Sequence, residues 1–559
     1  MRRMRLFTAL LMLATLSFPL TTFVTAQRSA IDTYAITNAK IVPVSGAVIE
    51  RGTVVIRDGL IVAVGEKVSA PADARVIDGT GLNVYPGLFD SNTNLGLAAP
   101  SPSPTPGGGG GGFLQTQARP AVPSGPNSTQ SPGLQPEVMI EDAIKPGGSD
   151  IETARNNGIT TALSAPRTGI WMGQSALINL SGESPQQMIV RSPVAMHVGF
   201  VPLRNGGYPG SLMGVFASLR QMLLDAQRYQ RAQETYERAP RGMRRPELDR
   251  SLAALIPVLE GKLPVIMHAD RQREIERALD LAQEFKLRAI IAGGAEAATV
   301  ANELRERDVP VLLSLNFPKR TTAAAPEADP ETLRTLRFRV EAQKTAARLA
   351  AAKVRFAFQS GGLTNLADYR ANAAKAIENG LSQEEALRAL TLRAAEILGV
   401  ADRLGSIETG KIANLTITRG DLFDRNARIT NVFIDGRPVE LHPAAAAAGT
   451  GESTGTLTPR ISLAGTWAIK VDVSNETLTG TLVVRQEGGN LSGSIQTQLG
   501  ISEFSGGTLT GNDFHIVVNA TIQGQSVELT INGTVQGDAL SGTVQSAFGT
   551  HPLTGTRQP

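Results

Sequence analysis

Short runs of alternating valine and isoleucine, at residues 36–44, 52–57, 60–64 and 75–78, are broken by Arg57-Asp58-Gly59 and Asp78-Gly79. A period of two interrupted by glycine turns predicts a small β-sheet whose apolar faces need more strands to cover them. The stretch 405–441 supplies a match, with strand-like runs around Ile407, at 410–417 and at 429–434, and a turn at Asp435-Gly436. Between 138 and 359 the pattern changes. Apolar strands at 158–163, 194–201, 263–268, 288–292, 309–315 and 354–358 are interleaved with amphipathic helices at 214–237, 270–285, 295–307 and 329–351. Helices at 369–379 and 382–398 follow, the second opened by the capping box Ser382-Gln383-Glu384-Glu385 and stopped by Gly399. Such alternation predicts an α/β fold, a parallel (β/α)8 barrel of the TIM type over residues 86–402.

Two segments break the pattern. Residues 98–136 carry Pro100, Pro102, Pro104, Pro106 and six consecutive glycines from Gly107 to Gly112, which cannot pack a core. They fall where a first strand-to-helix loop belongs and read as a tolerated surface insertion, with a cover over the barrel mouth as the functional alternative. Residues 443–459 form a small-residue linker. From 460 to 559 an apolar-polar-Gly-polar unit repeats, as in Leu478-Thr479-Gly480-Thr481 and Leu540-Ser541-Gly542-Thr543. This spacing predicts seven or eight antiparallel strands in a small closed barrel or sandwich, an accessory all-β domain.

The amino terminus places Arg2, Arg3 and Arg5 before an apolar run at 6–24 that ends in Val24-Thr25-Ala26. This reads as a signal peptide, residues 1–26, too short and too broken by Pro19 to anchor. Its removal lowers the 54 basic residues to 51, equal to the 51 acidic ones, so no cationic surplus points to nucleic acid. The absence of cysteine excludes disulfides, thiolate chemistry and Cys-held zinc. An exported protein, periplasmic or extracellular, without a membrane span after cleavage, is expected.

Candidate chemistry centres on Asn83-Val84-Tyr85-Pro86-Gly87-Leu88-Phe89-Asp90-Ser91-Asn92-Thr93-Asn94-Leu95-Gly96-Leu97, an apolar strand ending in short polar side chains. The run resembles the signature of the amidohydrolase superfamily, in its imidazolonepropionase-like branch, where Pro-Gly-aliphatic-Asp precedes a His-x-His pair that binds a catalytic metal. Here the pair is Asn92 and Asn94. The run 387–399 is similar to the family's closing helix. The resemblance also implies a composite β-sandwich of residues 27–85 and 403–442, with Ile412 and Asn414 in place of two acids of a Gly-Lys-Asp-Ala-Asp motif. It extends from about residue 34 to 441.

The resemblance further implies a histidine from each of two later strands and an aspartate general base. His268 keeps the first of these positions, Gly293 stands at the second, and Ser360 at the third, or Gln359 if the register moves by one. Carboxamides, glycine and serine are poor zinc donors and poor bases at neutral pH. His197 with His268, and Asp90, Asp270 or Glu296 as the acid, offer a way to rebuild a site for zinc or another divalent ion; otherwise no cofactor is expected. A Ser-His-Asp set through Ser91 or Ser360 ranks lower, since no Gly-x-Ser-x-Gly elbow is present.

Arg167, Arg204 and Arg271 are candidates for a substrate carboxylate, and 204–211 is a glycine-rich loop before a helix. The resemblance implies hydrolysis of non-peptide or cyclic C–N bonds, whereas the residue census favours a pseudoenzyme, a barrel kept for binding or scaffolding. A small molecule at the barrel mouth is the expected partner, and a homo- or hetero-oligomer stays open.

Overall fold

The structure, a computed structural model, describes residues 33–97, 130–131, 133–203, 208–318, 331–363, 365–441 and 463–558, the last stretch without 474–475, 488–489, 499, 511, 523–524 and 547–548. The expected signal segment, most of the 98–136 insertion, Arg204 and the 443–459 linker lie outside these residues. Two compact units divide the chain, 1–445 and 446–559.

In the first unit, both ends of the segment contribute to one eight-stranded sheet. Thr33–Ile41, Ile49–Arg57, Leu60–Gly65, Arg75–Asp78 and Leu82–Pro86 come from one end, and Leu415–Arg419, Arg428–Ile434 and Arg437–Val439 from the other. They join where Leu415–Arg419 runs antiparallel to Leu82–Pro86. The far edge returns to the same region, with Ile61 N–H donating to Lys411 O at 2.9 Å and Ala413 N–H to Gly59 O at 2.8 Å. The sheet therefore curls around its own core, in which Ile36, Ile56, Val84, Leu415, Ile417 and Phe433 are buried. Alternation put these residues on one face, and burying that face is what holds the two distant segments together.

Seven parallel strands follow, in two sheets. Leu88–Thr93 pairs with Ile159–Ser164. Met196–Gly199, Val265–Ala269, Ala289–Gly293, Val311–Ser314 and Phe356–Gln359 pair in chain order. Each lies within or beside a run that the sequence pattern marks as a strand. Backbone hydrogen bonding does not close these strands into an eightfold ring. Between the sheets come Trp171–Gln174, antiparallel to Met196–Gly199, and Ala176–Asn179, antiparallel to Ile159–Ser164. These two strands, short and buried on both faces, carry no alternation and escape the sequence reading, as does Ile189–Arg191, a three-residue edge strand too short to show a period.

At the other junction side chains do the joining. Tyr369 presents its buried hydroxyl 2.8 Å from Phe89 O and 2.9 Å from Phe358 O, and Asn92 Nδ2 donates to Gln359 Oε1 at 2.6 Å. Outside the strands pack Leu212–Arg238, Gln272–Phe285 and Leu333–Ala351. The helix expected at 382–398 is two, Gln383–Leu390 and Leu392–Ile397. Thr391 breaks it, leaving helical geometry while its buried hydroxyl donates to Leu387 O at 2.6 Å.

The second unit is an eight-stranded antiparallel barrel whose last strand, Gly549–Arg557, pairs with its first, Gly465–Val473, as the repeat allows. Trp467, Leu482, Phe504, Phe514, Ile516 and Leu553 fill it. Gly542 faces Gly533 across two strands, and a Cβ added at Gly542 would stand 2.1 Å from Asn532 O. The repeated glycine is thus a requirement of close strand approach. Among the described residues no helix is long and apolar enough to cross a membrane.

Candidate functional site

The carboxyl ends of the parallel strands bring together Asp90, Asn92, His197, His268, Gln359 and Ser360, and the loop after Ile159–Ser164 adds Arg167. Asp90 is fully buried, and its Oδ1 accepts from Ser360 N–H at 2.8 Å. Burial pushes its carboxyl up from the usual range, while the hydrogen bonds from Ser360 and the Arg167 guanidinium pull the other way. Asn92 is buried and bound to Gln359, which in turn donates from Nε2 to Leu312 O at 2.6 Å. Gln359, not Ser360, is therefore the residue opposite Asn92, and Ser360 serves Asp90 from the next position.

The two histidines meet each other. His197 Nδ1 and His268 Nε2 are 3.0 Å apart, a hydrogen bond that needs a proton on one nitrogen and a lone pair on the other. Burial holds His268 down to about 4, with Arg167 adding to the effect. Burial also holds His197 well below the ordinary imidazole range, with His268 and Arg167 contributing. Both rings are neutral at pH 7, and Arg167 is the cation common to them and to Asp90. Its guanidinium sits beside Gly362, where an added Cβ would be 3.6 Å from Nη1. Among the described residues, three buried polar atoms of this centre have no hydrogen-bond partner: Asp90 Oδ2, Arg167 Nη2 and His197 Nε2.

The remaining candidates stand apart. Asn94 is exposed in the turn beyond the strand, its carbonyl accepting from Leu97 N–H at 3.1 Å. Gly293 has φ +101°, and a Cβ there would stand 2.4 Å from Asp270 Oδ1. Asp270 thus occupies the space a side chain at 293 would need. Glu296 accepts from Gln272 N–H at 2.9 Å and lies 3.7 Å from Arg271, which also stacks over Phe338 at 5.7 Å. Arg271 is therefore engaged at a helix start, in a cleft of about 920 Å3, and Arg204 lies outside the described residues. The Ser-His-Asp alternative is not assembled: His268 is bonded to His197, and Ser360 faces Asp90 and Thr93.

The rebuilt metal site is tested by the donors themselves. One imidazole nitrogen of each ring is committed to the other ring, Asn92 is committed to Gln359, and a permanent guanidinium cation shares the centre. Among the described residues no three His, Asp or Glu side chains stand close enough to hold an ion. These residues do not fit a divalent metal, and no chemical step is derived through one. The sequence offered His197 with His268 and Asp90 among the acids beside them, and Arg167 apart from them as a carboxylate-binding candidate. The order in which the strands pair shows that they form one centre; Gln359 was offered as the alternative to Ser360, and no local signal marked Tyr369 as a partner.

A family profile described as Amidohydrolase family matches residues 332–439. The crystal structure of an amidohydrolase from Thermotoga maritima MSB8 is similar at 26% identity and a TM-score of 0.61, over 73% of this chain and 100% of that one. A prolidase complexed with N-methylphosphonate-L-proline matches over the same shares at 18% identity and a TM-score of 0.45. A Xaa-Pro dipeptidase with bound methionine does so at 14% and 0.43. No curated protein matches the chain.

Proposed function

Because the chain belongs to the amidohydrolase superfamily, we propose that it binds a small molecule at the mouth of a distorted (β/α)8 barrel, in a centre that has exchanged the family's metal for protein groups. Membership supports hydrolysis of an amide or another C–N bond. The residue chemistry supports a binding protein in which the metal-assisted step is no longer carried out. The observation that carries this reading is the pairing of two imidazoles, His197 and His268, with each other, beside Arg167. Asn92, Asn94, Gly293 and Ser360 at the implied ligand positions agree with it. The leader read at residues 1–26 supports export.

The test uses the mature protein from Gln27 onward, loaded with excess zinc or manganese, freed of unbound ions, and measured for metal per chain beside His268→Ala. Far less than one ion per chain in both proteins is expected. Stoichiometric metal that disappears in the variant would overturn the reading and restore the second one, a hydrolase with a rebuilt site. That second reading is favoured by the match of residues 332–439 to the Amidohydrolase family.

A further inference from the structure

Apart from the centre at the strand ends, the first unit holds the cleft of about 920 Å3 between the start of Leu333–Ala351 and the loops that follow Val265–Ala269 and Ala289–Gly293. None of Asp90, Arg167, His197 and His268 lines it. Its walls are apolar over Ala295, Ala298, Pro318, Leu333 and Phe338. Leu333 is 61% exposed, so part of this wall is open to whatever enters. The Arg271 guanidinium lies over the Phe338 ring at 5.7 Å, a flat surface on which a further ring can stack.

The charge of the cleft is unbalanced. Four arginines, Arg271, Arg334, Arg337 and Arg348, line it against two carboxylates, Glu296 and Glu341. Both acids are already engaged, Glu296 with Arg271 at 3.7 Å, and Glu341 with Arg348 and with Lys344 at 3.5 Å. Arg334 and Arg337 are exposed, and among the described residues neither forms an ion pair. Three positions apart on one helix, they can meet a single group from neighbouring turns. The nearby backbone donors are spent, Gln272 N–H on Glu296 and Thr335 N–H on Thr332 Oγ1 at 3.3 Å. Recognition of an anion here falls to the two guanidinium groups.

We propose that this cleft is a second binding site, taken by an organic anion with a flat apolar body, an aryl sulfonate, carboxylate or phosphate, whose charged group meets Arg334 and Arg337 while its ring lies against Phe338 and Leu333. The volume is that of a site for a whole organic molecule, far more than an inorganic ion fills. A bare ion gains only an exposed, screened attraction, and a neutral ring gains only apolar burial. A ligand that carries both gains both, and guanidinium groups match the oxygens of such anions in paired hydrogen bonds.

This site does not depend on the centre at the strand ends, and its test keeps the two apart. The full mature protein is titrated by ligand-detected NMR with naphthalenesulfonate, naphthol and sodium sulfate, which separate the ring from the charge. Naphthalenesulfonate is expected to bind with a Kd below about 1 mM, about tenfold or more tighter than either of the others. Its affinity should fall severalfold as salt rises from about 0.05 M to about 0.5 M. Arg334→Gln and Arg337→Gln together should weaken it about tenfold. Both positions are on exposed turns, so an unchanged unfolding midpoint should accompany the loss. Arg244→Gln, at an exposed arginine outside the cleft, should leave the affinity as it is. Naphthol or sulfate binding as tightly as naphthalenesulfonate, no binding of the three, an affinity unmoved in the double variant, or an equal loss in Arg244→Gln would each overturn the proposal.

Discussion

At the scale of residues the histidine pair makes stability depend on acidity in a stated direction. His268 titrates near 4 in the folded chain against an ordinary 6.5, so the unfolded chain binds the extra proton first. Stability is lost as pH falls from about 6.5 toward 4, by roughly 2–3 kcal/mol for this group, and the loss levels off below the folded value. His197, lowered in the same direction, adds to the slope. Asp90 works oppositely, since its raised carboxyl costs stability as pH rises past the usual aspartate range. Urea unfolding at pH 7 and pH 4.5 should show this difference in the wild type and a smaller one in His268→Gln; equal differences would contradict it. Several members of the centre were named from types of residue: His268 at a strand end, Asn92 at a position of the implied histidine pair, Arg167 as one of three arginines offered for a carboxylate. What escaped was partnership. Whether His268 met an acid, a metal or another imidazole depends on strands 71 residues apart in sequence, and nothing local encodes that.

At the scale of elements the parallel strands behave as two sheets held at one seam by side chains. Removing the Tyr369 hydroxyl in Tyr369→Phe deletes the bridge between Phe89 O and Phe358 O while leaving the ring in its buried place. The cost should be about 1–2 kcal/mol by urea unfolding, with the midpoint lowered and the slope unchanged. A neutral result would mean that the backbone carbonyls find other donors. Strand–helix alternation made most of these elements readable, because each parallel strand is a short apolar block and each helix a striped one. It failed at 171–191, where three strands of three or four residues lie buried or edge-on, and at Thr391, where one side chain ends a helix that periodicity would continue.

At the scale of the whole molecule each unit has its own apolar core, one around Leu88, Met267 and Phe358 and one around Trp467 and Phe514. Calorimetry should resolve two transitions. Trp467, fully buried, donates its indole N–H to Leu463 O at 2.9 Å and stacks under Arg557 at 4.4 Å. Trp467→Ala should remove about 3–5 kcal/mol from one transition and leave the other in place. A shift of both would show that the units unfold together. The all-β unit was the part most openly written in the sequence, since its glycine repeat specifies both strand length and close approach. That unit joins its last strand to its first, and its ladder hydrogen bonds are used among its own strands. Among the described residues every strand of this unit has a partner on both sides, so an incoming peptide is offered no open outer strand on which to continue the sheet; recognition of this unit then falls to outward side chains and hairpin tips, a mode that is easily varied and resists runaway polymerisation.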